Sequence, residues 1–183
     1  MTLRAGHPLR TLFSELVRNT FRNQLRYYDP EVADYISELL TDFARTDQLY
    51  KIRDAAGRRL DDVGEMLIES NPLLEAASFE REREVRKHIG DYTLFLAGLF
   101  PEYLKRPRRS VRLDYFVDYV KAGKESYTIV SKFDQFESRR VAPLFRRLAE
   151  NFELCVYGLN RVSNELRQME NGYYQHFERI LVT

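Results

Sequence analysis

Cysteine is all but absent. Cys155 stands alone, so no disulfide can staple the chain and no cysteine cluster can hold zinc or an iron–sulfur centre. A single thiol favours a reducing, cytoplasmic setting. Histidine is nearly as scarce, with only His7, His88 and His176. No Glu-x-x-His pair and no His-Glu-x-x-His helix accompanies them, so the sequence implies neither a di-iron nor a zinc-protease centre, and no metal at all. Among only eight glycines there is no phosphate-binding loop, dinucleotide fingerprint or nucleophile elbow. These absences point away from familiar enzyme chemistry, and no cofactor is implied. Asp91, Asp114 and Asp118 stand near tyrosines and leave an unfamiliar site open, with no assignable reaction.

Long apolar runs are missing too. The longest candidate, Tyr92 to Phe100, falls far short of the ~20 residues of a membrane span and reads as a buried helix segment. Met1 to Arg10 carries Arg4, His7 and Arg10 in place of the apolar run of a signal peptide.

What remains is a chain of 183 residues, 44% apolar and 31% charged, long enough for one sizeable core and read as a single domain over 1–183. Val32, Tyr35, Ile36, Leu39, Leu40 and Phe43 recur at helical spacing, with Asp29 placed to cap and Pro30 to open the helix. Leu9, Leu12, Phe13, Leu16, Val17 and Phe21 mark an earlier helix from about Pro8. A short piece lies around Asp47 to Arg53, and Leu60, Val63, Leu67 and Ile68 predict another helix ending before Asn71-Pro72. Ser78 is placed to cap a helix that runs to Phe100, where Pro101 stops it. A helix from about Ser110 to Phe133 is apolar around much of its circumference and is expected to be central or to line something.

The most regular pattern is Val141, Phe145, Leu148, Phe152, Cys155, Leu159, Val162, Leu166 and Met169, spaced alternately by four and three. Read as one continuous helix, this is the spine of the bundle. Gly172 is expected to end or kink it. No strand alternation bounded by hairpin turns occurs. The class predicted is all-α: an antiparallel helical bundle of about six helices with a long C-terminal helix.

Charge is nearly balanced overall, at +1, but blocked along the chain. Residues 1–26 carry a surplus of arginine, 27–70 a surplus of acid and 105–147 a surplus of base. Lys105, Arg106, Arg108, Arg109 and Arg112 form the strongest cluster, a candidate site for an acidic partner or a nucleic-acid backbone. A solvated loop explains the same residues equally well. His88 lies four residues after Glu84 and four before Tyr92, and with Tyr92, Tyr115 and Tyr119 it makes a candidate pocket for a small apolar or aromatic ligand. The competing and favoured reading makes His88 a core residue hydrogen-bonded to Glu84 or a tyrosine, and the tyrosines ordinary space-filling. The leading functional expectation is a non-enzymatic protein-interaction or regulatory module, self-association included. A ligand-enclosing sensor or carrier comes second, and nucleic-acid binding third.

Overall fold

A computed structural model describes residues 8–74, 76, 78–104, 118–133, 138–170 and 172–182. Among these residues the chain is an antiparallel bundle of ten α-helices with no strand: α1 (Pro8–Asn19), α2 (Pro30–Phe43), α3 (Thr46–Leu49), α4 (Val63–Glu69), α5 (Phe79–Leu99), α6 (Pro101–Leu104), α7 (Tyr119–Val130), α8 (Ser138–Glu150), α9 (Phe152–Gln168) and α10 (Tyr173–Val182). A π-helical turn, Thr20–Gln24, extends α1.

Local signals decide most helix starts. The Asp29 carboxylate accepts from the Val32 amide at 3.1 Å with Pro30 in the first turn, and Ser78 Oγ accepts from the Arg81 amide at 3.1 Å. Asp62 and Asp118 do the same for α4 and α7, accepting from the Glu65 and Lys121 amides. Each cap satisfies one of the amides that a helix N-terminus leaves unpaired. Pro101 ends α5 as expected and opens α6.

The expected count of about six helices rises to ten because the chain breaks where periodicity runs on. The stripe read as one spine from Val141 to Met169 is two helices. Asn151, at φ −109° and ψ 22°, separates α8 from α9, and its side-chain amide donates to the Arg147 carbonyl at 2.9 Å. An asparagine that bonds its own backbone competes with the helical ladder. The apolar stripe nevertheless stays buried across the break, from Phe145 to Leu166, while Val141 at its start is exposed. Gly172, at φ +73°, separates α10 from α9. The expected helix from Ser110 begins, within the described residues, only at Tyr119, because Asp118 caps it.

The centre of the bundle is α5. Every residue from His88 to Phe100 is buried, over ~20 Å of helix at 1.5 Å per residue, so the element expected to be merely a buried segment takes the place of the C-terminal spine. Two glycines let neighbours approach closely. A Cβ on Gly90 would lie 2.4 Å from the Tyr127 ring, and one on Gly123 would meet Phe152 and Thr93 at 2.3 Å. The first of these contacts, together with Thr93 beside Gly123, sets α7 antiparallel to α5. Phe95 joins the layers through ring contacts with Phe43 at 5.3 Å, Phe177 at 5.3 Å and Phe100 at 5.5 Å. The aromatic supply is therefore spent largely on filling space between helices α2, α5 and α10.

Candidate functional site

The most elaborate polar arrangement in the interior centres on Asp91. Its Oδ1 accepts from the Tyr35 hydroxyl at 2.6 Å and the Tyr127 hydroxyl at 2.7 Å, and its Oδ2 accepts from Lys87 Nζ at 2.6 Å. The donors come from α2, α7 and α5, so one carboxylate ties three helices together. Burial by itself would raise the Asp91 pKa, but the Lys87 ammonium and the three donated hydrogen bonds outweigh it and hold the group below its ordinary value. Burial, and then the Asp91 charge, raise both tyrosines well above the ordinary phenol range. The carboxylate is anionic, with both oxygens engaged. It acts as a latch between the three helices.

One turn away lies the opposite case. His88 is fully buried, with its ring 5.6 Å from Phe43 and stacked at 5.9 Å on Tyr92. Neither ring nitrogen bonds Glu84 or a tyrosine, which corrects that expectation, and the Leu49 backbone supplies only a weak polar contact that favours the charged form least of the forces acting on the ring. Glu84 pairs instead with Arg81, at 3.1 Å. Burial pushes the His88 pKa down to about 3, and the charges of Lys51 and Lys87 push the same way against the opposing pull of Asp91. The imidazole is neutral at any physiological pH.

Of the residues expected to form a pocket, His88 and Tyr92 are brought together, on α5. The Tyr92 hydroxyl reaches the Asp61 carbonyl at 3.4 Å. Tyr119 is buried at the start of α7. Tyr115 lies outside the described residues, as do Lys105, Arg106, Arg108, Arg109 and Arg112. Of the partners of Asp91, Tyr127 belongs to the tyrosines whose hydroxyls the sequence allows to line a cavity, whereas Tyr35 and Lys87 were not singled out as site residues. Lys87 carries the one local signal, its i,i+4 spacing to Asp91. Tyr35 and Tyr127 look like ordinary members of apolar stripes.

The charge blocks partly cancel one another. Arg10 pairs with Glu38, Arg18 with Asp34 at 2.6 Å, and Arg147 with both Glu31 and Asp29, the latter at 2.7 Å. The acidic block thus meets basic residues from both of the other two.

Among the described residues, exposed apolar side chains follow one another along the chain where α4 leads into α5. Leu73 is 90% exposed, Phe79 71% and Leu74 62%, and Ile68 in the last turn of α4 is exposed as well. A cleft of about 400 Å³ adjoins Ile68 and is lined also by Asp54, Glu65 and Glu69. Among the described residues no three of His, Cys, Asp and Glu converge as metal ligands, and no helix is long and apolar enough to cross a membrane. Comparison with known protein families, curated proteins and solved structures finds no match to this chain.

Proposed function

We propose that this chain is a non-enzymatic helical interaction module, that it docks through the corner between α4 and α5, and that its partner is a different protein offering apolar anchors flanked by basic residues. The exposed set Ile68, Leu73, Leu74 and Phe79 carries the reading. Isolated exposed apolar residues need no explanation, but four gathered at one corner match the composition of docking surfaces.

The charge around the corner supports the choice of partner. Arg58 is committed to Asp54 and Glu65, and Arg81 to Glu69 and Glu84. Glu80 and Glu82 add further acid in the first turn of α5, where they also suit the positive end of the helix dipole. A basic partner meets this rim favourably, whereas two copies of the corner would bring like charges together. A reducing, cytoplasmic setting is proposed with it, resting on the lone, buried Cys155. Any nucleic-acid contact is assigned to Lys105 to Arg112, and failure to retard DNA or RNA at low salt removes that assignment.

Photo-crosslinkers at Leu73 and Phe79, with a control at the exposed Tyr157, test the docking site in the living cell. The expected result is one partner linked from both corner positions and not from the control. With that partner purified, Leu73→Ser combined with Phe79→Ser should weaken binding at least about tenfold. Equal crosslinking from Tyr157, no crosslink at all, or a crosslink only between copies of the chain overturns the proposal.

A further inference from the structure

The connection between α1 and α2 is irregular. In the π-helical turn the Leu25 amide bonds the Thr20 carbonyl at 3.0 Å, and the Tyr27 amide bonds the Phe21 carbonyl at 2.9 Å. Arg26 then takes a left-handed conformation, φ +53°, which is unfavourable for a residue with a side chain. π-Helical turns occur frequently beside binding sites because they redirect side chains that an α-helix would place elsewhere.

Here the redirection opens a cleft of about 290 Å³, near the lower end of the range for small-molecule pockets. Its apolar surface comes from Phe21, Tyr27, Pro30 and Ala33, with the Phe21 and Tyr27 rings 6.3 Å apart. Tyr28 stands at the rim, 70% exposed, with the Arg22 guanidinium 5.1 Å over its ring.

Charge at the cleft is lopsided once the existing pairs are set aside. Arg18 is held by Asp34 through two hydrogen bonds, at 2.6 and 3.1 Å. The acid of the cleft, Asp29, is occupied on both oxygens, by the Val32 amide and by Arg147 Nε. Arg22 has no carboxylate partner among the described residues. The cleft therefore presents one guanidinium that has no carboxylate partner among the described residues and rests on the Tyr28 ring, the exposed Tyr28 side chain itself and an apolar wall. Those three features suit an anionic group joined to a flat ring, since the ring can stack on Tyr28 while the anion takes a forked pair of hydrogen bonds from Arg22.

We infer that this cleft binds a small planar organic anion, a single-ring aromatic carboxylate, with Arg22 holding the carboxylate and Tyr28 the ring. The site lies on the α1–α2 connection and is independent of the docking corner between α4 and α5.

The test titrates the isotope-labelled full chain with benzoate and follows backbone amide resonances. Cyclohexanecarboxylate, benzyl alcohol and inorganic phosphate serve as comparison probes. Saturable benzoate binding in the millimolar range or tighter is expected, with shifts centred on residues 18–33. Cyclohexanecarboxylate, which cannot stack, and benzyl alcohol, which has no charge, should each bind several-fold more weakly. Arg22→Gln should weaken benzoate about tenfold, Arg22→Lys less, and Tyr28→Ala several-fold. Both residues are exposed, and unchanged circular dichroism of the variants confirms that the fold is intact. Equal binding of phosphate and benzoate, absence of a saturable shift, or an unaltered affinity in Arg22→Gln overturns the inference.

Discussion

Replacing His88 by Leu should abolish a large part of the acid sensitivity of this fold. In the native state burial holds the imidazole pKa at about 3, whereas in the unfolded chain it returns to about 6.5. The unfolded state therefore binds a proton that the folded state refuses, and stability falls as pH drops below the unfolded value. The full effect, reached near the folded pKa, is about 4–5 kcal/mol at about 1.4 kcal/mol per tenfold change. Between pH 7 and pH 5 it is about 2 kcal/mol.

Leu is close to His in volume and suits the apolar contacts with Phe43 and Tyr92. Urea unfolding of both proteins at pH 7, 6 and 5 gives the comparison. The wild-type free energy should fall relative to that of His88→Leu, by about 2 kcal/mol over that range. Contributions of the other carboxylates and of His176 are shared by the two proteins and cancel. Parallel pH profiles would refute the claim that burial keeps the His88 ring neutral in the fold, and His88→Met guards against a poorly packed Leu.

Asp91 acts in a separate window: its pKa is depressed in the fold, so the stability it supplies is present above its unfolded value and is lost only as pH falls through the folded one, below His88's main range. Tyr127→Phe removes one of its two phenolic donors and should cost about 1–3 kcal/mol by chemical denaturation; no loss would mean the latch is dispensable. Gly90→Ala drives a methyl into the Tyr127 ring, 2.4 Å from its nearest atoms, and should destabilise by about 1–3 kcal/mol through overpacking, read as a lower urea midpoint. Cys155 is buried and its thiol is pushed up to about 12, first by burial and then by Asp29 and Glu153. It should therefore resist a disulfide reagent in native buffer and react at once in denaturant, and rapid native labelling would contradict its placement.

The helices were legible because their signals are local. The Asp29-Pro30 start, the Ser78 cap and the Pro101 stop act within a few residues of themselves, so adjacency in the chain is all that reading them requires. The stripe from Phe145 to Leu166 was legible as a buried seam because burial follows helical period. Its division at Asn151 was not, because the spacing of apolar residues passes through the break unaltered while the backbone turns.

The site chemistry depended on contacts that no spacing encodes. Tyr35, Asp91 and Tyr127 lie 56 and 36 residues apart in the chain, and only the packing of α2 and α7 against α5 makes one carboxylate the partner of both phenols. The same packing brought Arg10, Arg18 and Arg147 onto the acidic block, turning apparent charged faces into internal pairs. Sequence was enough for the all-α class and the caps, which arise from interactions within one or two turns. Which helix stands at the centre, which charges remain for a partner and where a cleft opens depend on how distant segments meet, and packing settles that only after the helices have formed.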